Sequence, residues 1–182
     1  MRGPIDVTQA LLALGVSHEV VHLRRRIDDA AELPEVLGVA PGSCVAVRLY
    51  DADGAPLAAL LPADRAAATT ALARVARARV VTPMRPDRVS VATEFHPALV
   101  PPFCLPAGTR TVADRALRAT EVLYTPTGDG STALKVLTED LFEVARPAVT
   151  DLVEPGIVLE GRRLPEDGWR GAPLTAAHAS RR

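Results

Sequence analysis

Short apolar runs separated by Gly, Pro and charged residues extend along most of the chain, and their spacing changes repeatedly between strand and helix periodicity. Val-rich runs bounded by turn residues predict strands, whereas Ala- and Leu-rich stretches predict helices. Strands are expected over 16–23, 44–50, 56–62, 80–81, 111–113, 122–125 and 133–137. Helices are expected over 8–14, 28–37, 64–78 and 139–145, with a turn or short helix over 115–119.

The residues between these segments favour antiparallel pairing. Asp53-Gly54 lies between two apolar runs and predicts a hairpin. Four prolines within 97–106 exclude a central strand or helix there and predict a shaped loop. The order of elements predicts an α+β fold with a mixed, mostly antiparallel sheet and surrounding helices, not a doubly wound one. We expect one domain over 1–153 and a loosely held extension over 154–182, where hydrophobic periodicity fades.

Composition narrows the classes of function. No apolar stretch is long enough to cross a membrane and no signal peptide is expected, so we predict a cytoplasmic protein without membrane association. The two cysteines lack the spacing of a metal site and are expected to be reduced. The net charge of −1 argues against a protein that coats polyanions. Of 21 basic residues only Lys135 is a lysine, which leaves one candidate for chemistry that needs one.

His18-Glu19-Val20-Val21-His22 matches the H-E-x-x-H pattern of zinc proteases. That chemistry needs a helix, because residues four apart on a helix lie about 5–6 Å from each other and can share one ion. On a strand the same residues are separated by roughly 13 Å. Gly15 and the β-branched valines favour a strand here. A zinc hydrolase therefore remains a remote alternative, and no metal is expected.

Several landmarks occur in an order that resembles a known family. A leading helix ends near Gly15 before a strand, the hairpin turn is Asp53-Gly54, and a Pro-rich loop precedes Asp114. The other landmarks are Leu37-Gly38-Val39, Leu60-Leu61-Pro62-Ala63-Asp64-Arg65, Val100-Pro101-Pro102-Phe103, Ala133-Leu134-Lys135 and Asp140-Leu141. Over residues 7–152 the chain resembles the freestanding aminoacyl-tRNA editing proteins, the YbaK/EbsC and prolyl-tRNA-synthetase insertion-domain group.

The resemblance implies hydrolysis of the ester between a wrongly attached small amino acid, such as alanine or cysteine, and its tRNA, with tRNA-Pro as one candidate. In this family the 2′-hydroxyl of the terminal adenosine helps to position the water. The protein supplies a small pocket and backbone hydrogen bonds. The implied partner is the acceptor end of a mischarged tRNA, and no cofactor is implied. We expect a monomer or a homodimer.

The family's site maps onto this chain with one central change. The signature lysine of the family falls at Ala46, and Arg48, two residues further on the same strand face, offers a displaced positive charge. The alternative is an Arg48 that faces solvent. The expected catalytic positions are Arg48 and Gly130. The expected substrate-binding residues are Ala46, Ala98, Val100, Pro102, Cys104, Asp114, Gly128 and Thr132.

Other positions depart from the family or have a structural alternative. Ala98 and Cys104 stand where the family has glycine, and their Cβ atoms restrict close approach of a ligand. Thr132 stands where many relatives carry histidine. Cys104 is either a nucleophile with His96 as base or, as we favour, a small buried thiol. Asp114 either binds the substrate amine or caps the turn that follows it.

The expected nucleic-acid contacts are Arg24, Arg25, Arg74, Arg77 and Lys135. Arg74 and Arg77 lie three apart on a predicted helix and should share a face, although a solvated helix face is the simpler interpretation. Lys135 either reaches the tRNA or is a structural strand residue. Two functions follow from the sequence: an editing-type deacylase, and a catalytically silent binding protein on the same scaffold.

Overall fold

The computed structural model describes residues 2–158, in which three sheets and five helices form the predicted α+β fold. The helices are α1 (Pro4–Ala13), α2 (Leu33–Leu37), α3 (Thr69–Ala76), α4 (Pro86–Thr93) and α5 (Thr138–Ala145). The strands are β1 (His18–His22), β2 (Val45–Ala52), β3 (Ala55–Pro62), β4 (Arg65–Ala67), β5 (Val81–Pro83), β6 (Arg110–Asp114), β7 (Val122–Pro126), β8 (Thr132–Leu137), β9 (Ala148–Thr150) and β10 (Val153–Val158).

The largest sheet has five strands in the order β5-β2-β3-β6-β9. β2 pairs antiparallel with β3 and β5, whereas β6 pairs parallel with β3 and β9. The second sheet has the order β1-β8-β7 and is antiparallel, and β4 forms a separate antiparallel pair with β10. The mixed, mostly antiparallel arrangement is therefore confirmed.

β2 is buried on both faces because apolar layers cover the five-stranded sheet on each side. Val45 and Val47 point into the larger core together with residues of α1 and the second sheet. Ala46 and Tyr50 lie on the opposite face, in two smaller apolar clusters. Such a continuous apolar run is typical of a strand covered on both faces. Arg48 interrupts the run, which makes it the exceptional residue of the strand.

The predicted hairpin between β2 and β3 is confirmed. Asp53 and Gly54 adopt φ angles of 51° and 89°, which are the two positive values that a tight two-residue hairpin turn requires. The Asp51 carboxylate also accepts a hydrogen bond of 2.7 Å from the Gly54 amide. The turn fixes the register in which Arg48 lies opposite Ala59.

The prediction of a helix over 64–78 is wrong at both ends, because the helix that forms is shorter. The first residues of that range form β4, which pairs with β10, and α3 begins only at Thr69. The Ala-rich sequence favours a helix locally, but a strand from the far end of the described chain decides the outcome. α3 also ends before Arg77, whose φ of 53° is left-handed, so Arg74 and Arg77 do not share a helix face.

α4 is an element that the sequence pattern does not predict. Pro86 occupies the first turn of α4, where the missing amide hydrogen removes no helical hydrogen bond. The helix expected over 28–37 is a 3₁₀ turn over Ala30–Glu32 followed by α2, with Pro34 in the first turn of α2. In both places a proline lies in the first turn of a helix.

The H-E-x-x-H segment forms β1, as its valines predict. His18 pairs with Val136 and His22 with Thr132 of β8, so the segment is extended and lacks the helix that zinc chemistry requires. The Glu19 side chain binds Lys135 across the strand pair at 3.0 Å. No cluster of three His, Cys, Asp or Glu residues that could hold a metal occurs among the described residues.

The last described strand crosses the boundary that we expected at 153. β10 runs through residue 158 and pairs with β4, so regular strand structure continues past the expected boundary. The remainder of the expected extension, from 159 to 182, lies outside the described residues. Within residues 2–158, no helix is both long and apolar enough to span a bilayer.

Candidate functional site

Arg48 is held inside the protein by an ion pair with Asp29. One guanidinium nitrogen of Arg48, Nη2, donates to Asp29 Oδ1 at 2.7 Å, and only 18% of the Arg48 side chain and 9% of the Asp29 side chain are exposed. The alternative of an Arg48 that faces solvent is therefore wrong. The other terminal nitrogen, Nη1, is buried without a hydrogen-bond partner. A buried donor of this kind costs free energy unless a ligand or water satisfies it.

Arg48 lines a small cavity, which we call the Arg48 cavity. Its volume is about 50 Å³. A second arginine, Arg65, also lines it, and the other walls are mostly apolar. They include Tyr50, Met84, Val89 and Pro97. A confined apolar space with a cationic donor suits a small uncharged group that carries a carbonyl oxygen.

The segment 27–30 makes hydrogen bonds to three residues of the predicted site, namely Arg48, Ala98 and Gly130. Asp29 binds Arg48 of β2, and the Ala30 amide donates to the carbonyl oxygen of Ala98 at 3.1 Å. The Ile27 amide donates to the carbonyl oxygen of Gly130 at 2.9 Å. Three regions that are distant in sequence are thus fixed against one short segment.

A capping arrangement orients Asp29. Its Oδ1 accepts the amide of Ala31 at 2.8 Å, and Glu32 Oε1 accepts the amides of Asp28 and Asp29 at 2.9 and 3.2 Å. Burial pushes the pKa of Glu32 upward, but the hydrogen bonds from Arg25 and from these two amides outweigh it and lower the pKa. Glu32 is therefore held as a carboxylate, which keeps the 3₁₀ turn capped and Asp29 aimed at Arg48.

The pocket positions taken from the resemblance are buried. Ala46 is completely buried among apolar side chains, so no charge occupies the position of the family's lysine. Val100 and Pro102 are buried as well, and Ala98 is 2% exposed. The backbone at Ala98 is not left-handed, whereas Cys104 has a φ of 58°, a conformation that favours glycine. Of the two positions where the resemblance implies glycine, only Cys104 has the left-handed backbone conformation that favours glycine.

Cys104 has the properties of a structural thiol. It is partly buried, and burial raises the pKa of its thiol despite the neighbouring Arg2. A nucleophilic cysteine needs a lowered thiol pKa. The Arg2 guanidinium stacks over the Phe95 ring at 5.2 Å and donates to the Cys104 carbonyl oxygen at 3.4 Å. This arrangement favours the buried-thiol interpretation.

The loop between β7 and β8 is closed by its own polar groups. Asp129 accepts hydrogen bonds from Ser131 and Thr127, and the hydroxyl groups of Thr127 and Thr132 are 2.6 Å apart. Thr132 is only 5% exposed, so its side chain stabilises the loop, and the geometry does not support the substrate contact predicted for it. Gly128 packs against Phe95 so closely that a Cβ would lie 2.4 Å from the ring.

We expect the stability of this loop to depend on pH through Asp129. Burial raises the pKa of Asp129, but hydrogen bonds from Ser131, Thr127 and Thr132 outweigh it and lower the pKa below its ordinary value. The carboxylate therefore stabilises the fold above the ordinary aspartate pKa, and this contribution is lost as pH falls through the lowered value. Asp129→Asn should destabilise the protein by about 1 kcal/mol at pH 7 and much less at pH 2.

Urea unfolding at several pH values measures this difference. Asp28→Asn is the matched control, because Asp28 is exposed and its carboxylate accepts no hydrogen bond among the described residues. The control should retain the pH dependence of the unchanged protein. Equal destabilisation by Asp129→Asn at pH 7 and pH 2 would contradict the assigned role.

Asp114 is a capping residue. Its Oδ1 accepts the amide of Ala116 at 2.8 Å, and its Oδ2 accepts the amides of Leu152 and Val153 at 2.7 and 3.0 Å. The side chain is thereby occupied on β6, two strands away from β2. Of the two roles that the sequence left open, the structure supports the cap and not the substrate amine.

The basic residues predicted to contact nucleic acid lie on separate elements. Arg24 and Arg25 follow β1, Arg74 lies on α3, and Lys135 lies on β8. Arg25 already binds Glu32 and Glu35, and Glu19 raises the pKa of the Lys135 ammonium group by accepting its hydrogen bond. Arg24, Arg74 and Arg77 are exposed. The structure does not bring these residues into one site.

The sequence reasoning missed two residues of the Arg48 cavity region. Asp29 has a detectable signal, since Asp29-Ala30-Ala31-Glu32 matches the spacing of a capping box. Arg65 has no such sequence signal. It lies on β4, and β4 is a strand only because it pairs with β10, about 90 residues further along the chain.

Comparisons with known proteins agree with this architecture. A family model described as an aminoacyl-tRNA editing domain matches residues 25–144. A solved structure described as a candidate trans-editing enzyme for prolyl-tRNA synthetase is 19% identical, covers 83% of this chain and 96% of its own, and has a TM-score of 0.76. Hypothetical protein APE2540 is 23% identical, with coverages of 81% and 99% and a TM-score of 0.75. A search of curated sequences gave no match.

Proposed function

Because the chain belongs to the aminoacyl-tRNA editing domain family, we propose that it hydrolyses the ester between a small mischarged amino acid and tRNA, with tRNA-Pro as the first candidate. The observation that carries this proposal is Arg48, which lines a small, mostly apolar cavity and has one buried guanidinium nitrogen, Nη1, without a hydrogen-bond partner. The cytoplasm would be its place of action, because aminoacyl-tRNAs are made and used there.

The ester carbonyl is the group that Arg48 would bind. In hydrolysis, water attacks the carbonyl carbon and the carbonyl oxygen becomes negative. The bond between the carbonyl carbon and the ribose oxygen then breaks, and the ribose oxygen takes the proton that the attacking water loses. Arg48 Nη1 would donate to the developing oxyanion, while Nη2 stays fixed on Asp29. Donors positioned in advance where charge develops are worth several kcal/mol in a site that excludes water. Gly130 would contribute indirectly, because its close contact with the backbone of Ile27 holds the segment 27–30 that carries Asp29.

The dimensions of the cavity favour a small amino acid. A volume of about 50 Å³ between Tyr50, Met84 and Val89 would suit a short side chain better than a branched or aromatic one. Exclusion by size discriminates strongly against larger side chains, whereas apolar contact alone distinguishes one methylene group only weakly. Alanine and cysteine are therefore the preferred candidates.

A catalytically silent binding protein is the second candidate. The buried Ala46 supports it, because the lysine that the family uses is absent and the apolar surroundings leave no place for a substitute charge at that position. Such a protein would hold an aminoacyl ester in the Arg48 cavity without cleaving it.

A deacylation assay separates the two candidates. Purified protein is incubated with alanyl-tRNA-Pro, cysteinyl-tRNA-Pro and correctly charged prolyl-tRNA-Pro, and the release of amino acid is followed. We expect faster release from the first two substrates than from the third. Arg88→Met is the control variant, because Arg88 is exposed and binds Asp51 outside the Arg48 cavity. No release above the uncatalysed rate from any small mischarged substrate would reject the enzyme.

A further inference from the structure

A second and larger cavity, which we call the Arg88 cavity, shares a lining residue with the Arg48 cavity. Its volume is about 400 Å³, and its lining includes Gly54 of the hairpin turn together with Arg88 and Val91 of α4. Met84 lines both cavities, and it is the residue that their linings have in common. It belongs to the short link between β5 and α4. The two cavities are therefore neighbours that meet at Met84.

The backbone at Met84 is held from both sides. Pro83 lies opposite Tyr50 in the pairing of β5 with β2, and the Met84 amide donates to the Leu49 carbonyl oxygen at 2.9 Å. Pro86 then occupies the first turn of α4. Because a proline ring fixes the φ angle, the two prolines restrict the conformations of this link. The Met84 side chain is therefore the adjustable part of the wall.

Two other apolar walls of the Arg48 cavity lead into packed protein. Val89 belongs to the larger core and Tyr50 to an apolar cluster on the opposite face of the sheet, and both are buried. Neither of them lines the Arg88 cavity. Met84 is only partly buried, and an unbranched methionine side chain fills irregular gaps without needing a polar partner. Met84 is thus the wall beside which further space is available.

We propose that Met84 sets the upper size limit of the amino acid that the Arg48 cavity accepts. This inference rests on the proposed function, because it concerns the same cavity. The Met84 thioether closes the small space toward the larger one, so that an alanine or cysteine side chain fits, whereas the side chain of valine or leucine meets the thioether. Met84 contacts the amino acid and takes no part in proton transfer or in stabilising the oxyanion. It is a specificity-determining residue.

Substrates of graded size test this assignment. The substrates are tRNA-Pro charged with alanine, valine or leucine, and kcat/KM for deacylation is measured with the unchanged protein and with Met84→Ala. We expect Met84→Ala to raise kcat/KM for the valyl and leucyl substrates at least tenfold relative to the alanyl substrate. One methylene group in an apolar pocket is worth roughly 10- to 200-fold, and the variant removes the side chain that excludes it.

Three further variants make the result specific, and thermal unfolding verifies that each is folded. Met84→Leu keeps the bulk of the side chain and should retain the preference of the unchanged protein. Met84→Val shortens the side chain less than Met84→Ala and should give a smaller change in the same direction, so it serves as the test if the alanine variant does not fold. Val91→Ala should change nothing, because Val91 is exposed and lines only the Arg88 cavity.

Amino-acid amides test the same size limit without any reaction. L-Alaninamide and L-leucinamide are titrated into the ¹⁵N-labelled full chain up to about 10 mM, since such small ligands bind weakly. We expect L-alaninamide to shift backbone amide signals around the Arg48 cavity in the unchanged protein and in Met84→Ala. L-Leucinamide should do so only in Met84→Ala.

The two measurements separate the role of Met84 from the proposed function. An unchanged order of substrates in a folded and active Met84→Ala protein would overturn the role of Met84 and leave the proposed function standing. Equal binding of the two amides to the unchanged protein would also overturn it. Binding of L-leucinamide gained in Met84→Ala, without deacylation by any variant, would support the size limit and reject the deacylase. Absence of both deacylation and amide binding would reject both.

Discussion

Arg48→Met is expected to lower kcat/KM for deacylation of alanyl-tRNA-Pro by about 100-fold or more, the loss that follows removal of one preorganised oxyanion donor. Methionine retains much of the length and apolar volume of the side chain but cannot donate a hydrogen bond or carry charge. The loss should fall mainly on kcat, because the donor binds charge that appears only in the transition state. Single-turnover deacylation with saturating protein measures this step directly.

Asp29→Asn, measured alone and together with Arg48→Met, tests whether Asp29 acts through Arg48. Because Asp29 accepts a hydrogen bond from Arg48 Nη2, we expect Asp29 to influence activity by positioning the Arg48 guanidinium. We expect Asp29→Asn to lower kcat about tenfold alone and to have no further effect in the Arg48→Met background, which is the signature of coupled residues in a double-mutant cycle. Additive losses would show that Asp29 acts independently. Unchanged activity of Arg48→Met would remove Arg48 from the site.

Gly130→Ala is expected to cost about 3 kcal/mol of stability and most of the activity. A Cβ at Gly130 would lie 2.2 Å from the carbonyl oxygen of Ile27, and the φ of 73° is strained for any residue with a side chain. The obstacle is backbone and cannot rotate away. Relief requires a shift of the segment 27–30, which would misplace Asp29 and, through it, Arg48.

Thermal unfolding together with the deacylation assay measures both effects. For a domain of this size, a loss of 3 kcal/mol corresponds to a Tm lower by roughly 6–12 °C. Gly42→Ala is the matched control, because its added Cβ meets nothing within 4 Å and its φ is not positive. A Gly130→Ala protein with unchanged Tm and activity would contradict the close contact with Ile27.

The sequence was sufficient to predict the elements whose conformation is set by neighbouring residues. The hairpin at Asp53-Gly54 and the strand β1 follow from turn chemistry and β-branched residues, and both are confirmed. β4 could not be predicted, because its Ala-rich sequence favours a helix and only its distant partner β10 makes it a strand. α4 was missed because a proline at a helix start and a proline at a strand end have the same local appearance.

The residues of the candidate site also fall into two groups, those that the sequence indicates and those whose role depends on tertiary contacts. Arg48 was found because a charge within an apolar strand is conspicuous in the sequence, and Gly130 because its loop matches a family landmark. The roles of Asp114 and Thr132 depend on which amides and hydroxyl groups fold against them. The sequence left the role of Asp114 open, and it predicted a substrate contact for Thr132 without showing that its hydroxyl group binds Thr127. The Arg48 cavity is lined by residues from several distant segments and has no local signal in the sequence.

The pairing of β1 with β8 also has a consequence for synthesis. About 110 residues separate His22 from its partner Thr132, and β1 has no other strand partner among the described residues. At roughly 5–20 residues per second, a ribosome needs on the order of 10 s to make that interval. During this time β1 lacks the strand that completes its hydrogen bonds, and the segment 27–30 lacks the Gly130 carbonyl that anchors it. The candidate site around Arg48 is therefore among the last parts of the described chain that can form.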